Sequence, residues 1–210
     1  MLEKAAIFSE TELAVLLFVD MGNYGRNPFP IRDVFLKLKK ATQVVQFVAY
    51  YWRRSGNFLF VNAGENSLSE AQRVGARIIG LPCVVRRLVD LEQVEKAVPA
   101  KAKITPGGSF VLPTASGPRK LIYIALSDSV PIEHHMVGKV GIRGEILSWP
   151  SGRDVLSLYD RPSRGGDVGQ VTNAVMTALH KRLGSDNLYA TGRAIGVIRD
   201  LRSSKGLRYK

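Results

Sequence analysis

Aromatic and basic side chains occur together in one short stretch, and this combination suits nucleic-acid binding. Residues 50–57 read Tyr-Tyr-Trp-Arg-Arg-Ser-Gly-Asn. Aromatic rings stack on bases, and guanidinium groups pair with phosphates. We therefore predict Tyr50 and Trp52 as stacking residues and Arg53 and Arg54 as phosphate contacts. The alternative is that the rings belong to the hydrophobic core and the arginines are solvated turn residues.

Further basic residues fall in three other segments of the chain: the end of a predicted strand, a Pro/Gly-rich stretch and the C-terminal region. Lysines and arginines in such segments contact phosphates without reading base sequence. Residues 199, 202 and 205 would share one helix face, and Gly206 would then end the helix and leave a mobile basic tail. A solvated helix face is the alternative there. These predicted nucleic-acid contacts are Arg86, Arg87, Lys101, Lys103, Arg119, Lys120, Arg193, Arg199, Arg202, Lys205, Arg208 and Lys210.

The overall charge points to the same kind of partner. The 210 residues include 30 Lys and Arg against 18 Asp and Glu, a formal net charge of +12. A surplus of this size creates a positive potential that attracts polyanions. Neither a helix-turn-helix nor a zinc finger can be read from the sequence, so RNA or single strands are favoured over duplex DNA. The sequence thus predicts a non-enzymatic nucleic-acid-binding protein with little sequence specificity.

Residues for catalysis or metal binding are few. The histidines are His134, His135 and His180, and the single cysteine, Cys83, lies in a predicted buried strand. We predict no catalytic residue, no metal and no cofactor. Two alternatives remain open: a small-molecule or phosphate-handling enzyme with a site between two halves, and an assembly protein that docks an acidic protein partner.

The single cysteine fits a reducing compartment. The apolar run Leu13–Val19 is too short to span a bilayer and follows acidic residues, unlike a signal peptide. The sequence therefore predicts a cytoplasmic protein without a membrane partner, and a homo-oligomer is compatible with it.

The elements that would position the basic residues follow a regular order. Leu13–Val19 is a predicted strand, and apolar residues from Ile31 onward recur at helical spacing. Val44–Trp52 and Phe58–Val61 form a predicted hairpin. A helix with a capping box at Ser67 and a strand over residues 82–88 complete a ferredoxin-like βαββαβ order.

The same order of signals returns in the second half of the chain. Strand patterns occur at 121–126, 139–149, 154–159 and 188–191, and an amphipathic helix is predicted from Val168 to Leu183. The fold class predicted is α+β, with tandem ferredoxin-like units, antiparallel sheets and a basic C-terminal helix or tail. The predicted domains are 1–99, a basic Pro/Gly-rich linker at 100–120, and 121–210.

Three motifs resemble the bacterial domain-of-unknown-function family 1697 over nearly the whole chain. A Gly/Asn-rich loop ends at Pro30-Ile31, and a Ser-Gly-Asn turn occupies residues 55–57. The third motif is Ala190-Thr191-Gly192-Arg193, where Ala194-Ile195 replaces the family's Asn-Trp. The resemblance is that of a divergent member; it implies the tandem ferredoxin-like fold and implies no activity.

Overall fold

In the part of the chain that the structure describes, the fold consists of two antiparallel β-sheets and three α-helices with defined ends, an α+β architecture. It is described by a computed structural model. The structure describes residues 8, 10–18, 30–51, 58–81, 83–104, 110–115, 117–140, 144–160, 177, 189–192 and 207–209. Within these ranges, no helix is both long and apolar enough to cross a membrane.

The first sheet is built from the N-terminal half and one strand from near the C-terminus. In space its strands follow the order β12-β2-β3-β1-β4, and each neighbouring pair is antiparallel. Its strands are β1 (Leu13–Phe18), β2 (Phe47–Tyr51), β3 (Phe58–Val61), β4 (Cys83–Arg87) and β12 (Leu207–Tyr209). The helices of the same half are α1 (Ile31–Ala41), α2 (Glu65–Ile79) and α3 (Leu88–Ala97).

The second sheet has the spatial order β5-β6-β7-β10-β9-β8, and β11 also pairs with β7. Part of this sheet corrects a sequence-based prediction, because residues 100–120 were expected to form a linker. Instead, most of that stretch is hydrogen-bonded sheet. The strands are β5 (Lys103–Ile104), β6 (Phe110–Thr114), β7 (Gly117–Leu126), β8 (Gly138–Val140), β9 (Gly144–Ser151), β10 (Asp154–Asp160) and β11 (Tyr189–Gly192).

The two sheets share a pattern of strand order. In the first sheet, β2, β3, β1 and β4 lie side by side. In the second sheet β9, β10, β7 and β11 do the same, because β11 pairs with the C-terminal part of β7, beyond its pairing with β6. The predicted helix at residues 168–183, of which only residue 177 is described, cannot be compared with α2.

Helices α1 and α2 cover one face of the first sheet. On α1, Val34, Phe35 and Leu38 are buried at helical spacing and pack onto the sheet. Helix α2 approaches β1 closely at Gly75, where a Cβ atom would lie 2.6 Å from Leu16 Cδ2. A larger side chain at residue 75 would therefore push the helix away from the sheet.

The opposite face of the first sheet packs directly on the second sheet. Along β1 the side chains alternate, so that Leu16 faces the helices while Val15 and Leu17 face the second sheet. From the second sheet, Tyr123 and Leu156 enter the same core, which also includes residues of α3. Each large apolar side chain buried there contributes roughly 1.5–3 kcal/mol. The facing sheet surfaces are thus core, and neither is an open binding platform.

Candidate functional site

The predicted stacking residue Tyr50 lies inside the protein. Its side chain is 5% exposed and packs under α1, with its ring centroid 5.0 Å from that of Phe35. This corrects the sequence-based prediction, because a ring in this position cannot stack on a base. Tyr50 shares the helix-covered face with Phe47, because a register irregularity between Phe47 and Ala49 interrupts the alternation along β2. The predicted contacts Trp52, Arg53 and Arg54 lie outside the described residues.

Arg86 is also buried, which corrects its predicted role as a phosphate contact. Only 6% of the residue is exposed. Its Nε donates to Asp154 Oδ1 at 3.0 Å, and Nη2 donates to the backbone carbonyls of Leu126 and Arg153 at 2.6 and 2.7 Å. Nη1 donates to the carbonyl of Val85 at 2.8 Å. Arg86 therefore ties β4 of the first sheet to β7 and the β9–β10 hairpin of the second.

Asp154 is the centre of this buried cluster. Besides Arg86, it accepts hydrogen bonds from Tyr123 Oη at 2.6 Å and from Ser151 Oγ at 2.5 Å. Burial, and then the negative charge of Asp154, raise the pKa of Tyr123 well above its usual value, so the phenol stays protonated. Burial opposes the charge on Arg86, but its interactions with Tyr123 and Asp154 outweigh this effect and raise the pKa of Arg86.

Arg87, the next residue, lies at the protein surface. Its Nε and Nη2 donate to the two carboxylate oxygens of Asp90 at 2.9 and 3.0 Å, and its side chain is 49% exposed. The hydrogen bonds to Asp90 and the carboxylate charge raise the pKa of Arg87. One face of Arg87 is therefore held by Asp90 while the rest meets solvent.

The basic residues of the predicted linker lie on two different faces of the second sheet. Lys103 pairs in register with Val111, which pairs in turn with Lys120, so the two lysines share one face about 10 Å apart. Lys101 is exposed nearby. Arg119 precedes Lys120 in β7, so its side chain lies on the other face of the sheet, where it forms an ion pair with Glu145. This ion pair makes Arg119 a poor candidate for a phosphate contact.

Most of the predicted C-terminal contacts lie outside the described residues, namely Arg193, Arg199, Arg202, Lys205 and Lys210. Arg208 is described and lies in β12, where its backbone pairs opposite Tyr50. The expected mobile tail is therefore corrected at this point, because residues 207–209 form a strand at the edge of the first sheet.

A second basic surface, which the sequence-based site did not include, lies on α1. Its outer side carries Arg32, Lys37, Lys39 and Lys40, which are all exposed; we call these four residues the α1 basic face. Asp33 is the acidic residue on that side. Lys39 Nζ lies 5.7 Å from the Phe35 ring centroid. The signal was present in the sequence as basic residues between the apolar positions of an amphipathic helix.

A cleft of about 430 Å³ opens where the two halves of the chain meet. Its walls are the first turns of α2, the end of β4 with the start of α3, and the β9–β10 hairpin. The side chains relevant to binding there are Glu65, Gln72, Arg87, Gln93 and Arg153, with Arg86 below them. The alternative enzyme hypothesis would use the loops at 20–30 and 164–167, of which residues 20–29 and 164–167 lie outside the described residues.

The described residues offer little for catalysis by metal or thiol. Among them, no group of three His, Cys, Asp or Glu side chains could hold a metal ion. Burial raises the pKa of Cys83 to about 12, so its thiol stays protonated at neutral pH. His135 stacks on Trp149 with ring centroids 4.2 Å apart, which gives it a packing role.

Comparisons with models of known protein families, with curated proteins and with solved structures found no match. Three features of the protein therefore bear on its function: the α1 basic face, the lysines at residues 101, 103 and 120 on or beside the second sheet, and the cleft.

Proposed function

We propose that this protein binds nucleic acid, with RNA or single strands favoured over duplex DNA. The observation that supports this best is the α1 basic face, which presents Arg32, Lys37, Lys39 and Lys40 on one side of a single helix. Among the described residues, Arg32, Lys37 and Lys40 have no ion-pair partner within 4 Å. Their charges are thus available to phosphates, and the net charge of +12 adds long-range attraction.

Helix α2 extends this basic surface. The two helices α1 and α2 pack beside each other. Arg73 and Arg77 follow on the exposed side of α2. Arg73 is paired with Glu70 at 2.8 Å, whereas Arg77 has no ion pair among the described residues. Arg77 is therefore a further proposed phosphate contact, on α2.

The proposed mechanism is electrostatic and does not read sequence. Lysines and arginines that contact phosphates hold a strand in place, and they distinguish bases weakly. Because Tyr50 is core, stacking could come from Trp52 but not from Tyr50. Lys101, Lys103 and Lys120 would provide a second phosphate-binding region, and the C-terminal basic residues remain proposed contacts.

We also propose that the two halves are tandem copies of a ferredoxin-like unit. The repeated strand order β2-β3-β1-β4 and β9-β10-β7-β11 supports this proposal. A divergent relationship to family 1697 and a cytoplasmic location belong to the same proposal.

The test is fluorescence anisotropy with labelled single-stranded RNA, single-stranded DNA and duplex DNA over a salt series. We expect tight binding at low salt and a steep negative slope of log affinity against log salt. In the variant Lys37→Gln/Lys40→Gln, affinity at low salt should fall at least about tenfold. Because each single-strand phosphate contact contributes about 0.7 to the slope, losing two should flatten it by about 1.4.

The matched control is Lys96→Gln/Lys139→Gln, which removes the same charge from exposed lysines outside α1. If both variants lose affinity equally, the charge acts as a diffuse field and the α1 basic face is not the site. If the native protein binds none of the three ligands at low salt, nucleic-acid binding is refuted.

A further inference from the structure

The cleft between the two halves has the size of a small-molecule site. Its volume of about 430 Å³ lies within the range of roughly 300–1,000 Å³ that is typical for such sites. It combines residues of α2 and α3 with residues of the β9–β10 hairpin, so it exists only because the sheets are packed together. The fixed pairing of Arg86 with Asp154 holds its floor in shape.

Two arginines at the sides of the cleft retain hydrogen-bonding capacity. The floor residue Arg86 already donates to Asp154 and to three backbone carbonyls. Arg87 uses Nε and Nη2 on Asp90 and leaves Nη1. Arg153 is exposed, and its guanidinium has no ion-pair partner in the described part of the chain.

The rest of the lining favours a polar ligand with a flat, hydrogen-bonding group. Gln72 and Gln93 each offer a donor and an acceptor, and Glu65 offers an acceptor. Amide and carboxylate side chains of this kind bond to the edges of nucleobases. Leu68 and Val85 are the apolar side chains of the lining, which is too few for a largely apolar ligand.

We propose that this cleft binds one nucleotide unit, with its phosphate on Arg153 and Arg87 and its base edge on the side chains of Gln72 and Gln93. Arginine is the side chain best suited to a phosphate group because its planar fork donates two parallel hydrogen bonds. The ligand class depends on the proposed nucleic-acid binding, and the cleft adds a specific subsite to it. A free nucleotide and the terminal nucleotide of a strand both carry such a phosphate.

The first experiment is isothermal titration calorimetry with AMP, CMP, GMP and UMP, and with the matching nucleosides. We expect at least one monophosphate to bind and its nucleoside to bind at least about tenfold more weakly. Arg153→Gln should weaken monophosphate binding by at least about tenfold, and Gln93→Ala should change the preference among the four bases. Arg153 is exposed, so its variant should keep the native melting temperature.

The control variant is Lys139→Gln, which removes one exposed positive charge outside the cleft and outside the α1 basic face, and it should leave monophosphate binding unchanged. If no monophosphate binds, or if Lys139→Gln weakens binding as much as Arg153→Gln does, the cleft proposal is overturned. Competition by 5′-phosphorylated and 5′-hydroxyl oligonucleotides then separates a strand terminus from a free nucleotide as the source of the phosphate.

The two proposals fail in distinguishable ways. Binding of oligonucleotides that depends on Lys37 and Lys40, without monophosphate binding, would support the α1 basic face and eliminate the nucleotide subsite. Binding of monophosphates that depends on Arg153, without oligonucleotide binding at any salt concentration, would support the cleft as a free-nucleotide site and eliminate the proposed nucleic-acid function.

Discussion

Arg86 and Arg87 are neighbours in the chain, yet they lie in regions of the molecule with opposite physical properties. Arg86 points into the junction of the two sheets, where 6% of the residue is exposed and Asp154 neutralises its charge. Arg87 points to the surface, where its side chain is 49% exposed and Asp90 holds it in solvent. The same residue type is a structural tie in one region and an available cation in the other.

The two ion pairs contribute differently to stability because water can solvate the charge of Arg87 and cannot solvate that of Arg86. At the surface, water solvates Arg87 with or without its partner, so the ion pair gains little. In the junction, Arg86 and Asp154 have both lost water, and only their mutual hydrogen bonds replace it. Removing one partner there leaves a buried charge without compensation.

The largest expected effect is therefore on the junction. Arg86→Met should lower the free energy of unfolding by about 3–5 kcal/mol because Asp154 then loses its counter-charge. Urea denaturation measures this change. The double variant Arg86→Met/Asp154→Leu should lose less than the sum of the two single variants, since neither charge remains. Additive losses would show that the two side chains do not act as a pair.

An intermediate effect is expected from the phenol that supports Asp154. Tyr123→Phe removes one hydrogen bond to a buried carboxylate and should cost about 1.5–3 kcal/mol, measured by urea denaturation at neutral pH.

The same variant should alter the pH dependence of stability. The pKa of Tyr123 is raised in the folded protein, so its contribution is complete below its ordinary value of 10.0 and is lost as pH rises beyond it. Native protein should thus lose stability above pH 10 more steeply than Tyr123→Phe. Parallel curves for the two proteins would contradict a buried, protonated phenol.

The smallest effect is expected at the surface. Arg87→Met should change the free energy of unfolding by no more than about 1 kcal/mol, and the change should shrink in high salt. A loss comparable to that of Arg86→Met would remove the contrast between the two regions.

The repeating patterns made much of the fold predictable. Short apolar runs located β1 and β4, and helical spacing located α1 and α2, because both signals are set by residues close together in the chain. The strands at 103–104 and 110–114 were missed because Pro and Gly near them indicate loops, whereas pairing with β7 depends on distant residues.

The burial of Arg86 depends on long-range contacts that the spacing of residues in the sequence does not reveal. The sequence indicated that both faces of β4 end in an arginine. Arg86 lies on the buried face of β4 because it pairs with Asp154, which is 68 residues later in the chain. The sequence indicated only that Asp154 begins a strand. The cleft was unpredictable for the same reason, since its walls come from three segments joined only in the folded chain.

The core between the sheets has a consequence for how the chain is synthesised. Val15, Leu17, Leu59 and Val84 form an apolar surface that is covered by residues of β7 and β10. At a translation rate of roughly 5–20 residues per second, the first half emerges from the ribosome several seconds before its cover. During that interval the nascent chain exposes an apolar sheet surface, which is the kind of surface that chaperones bind to prevent aggregation.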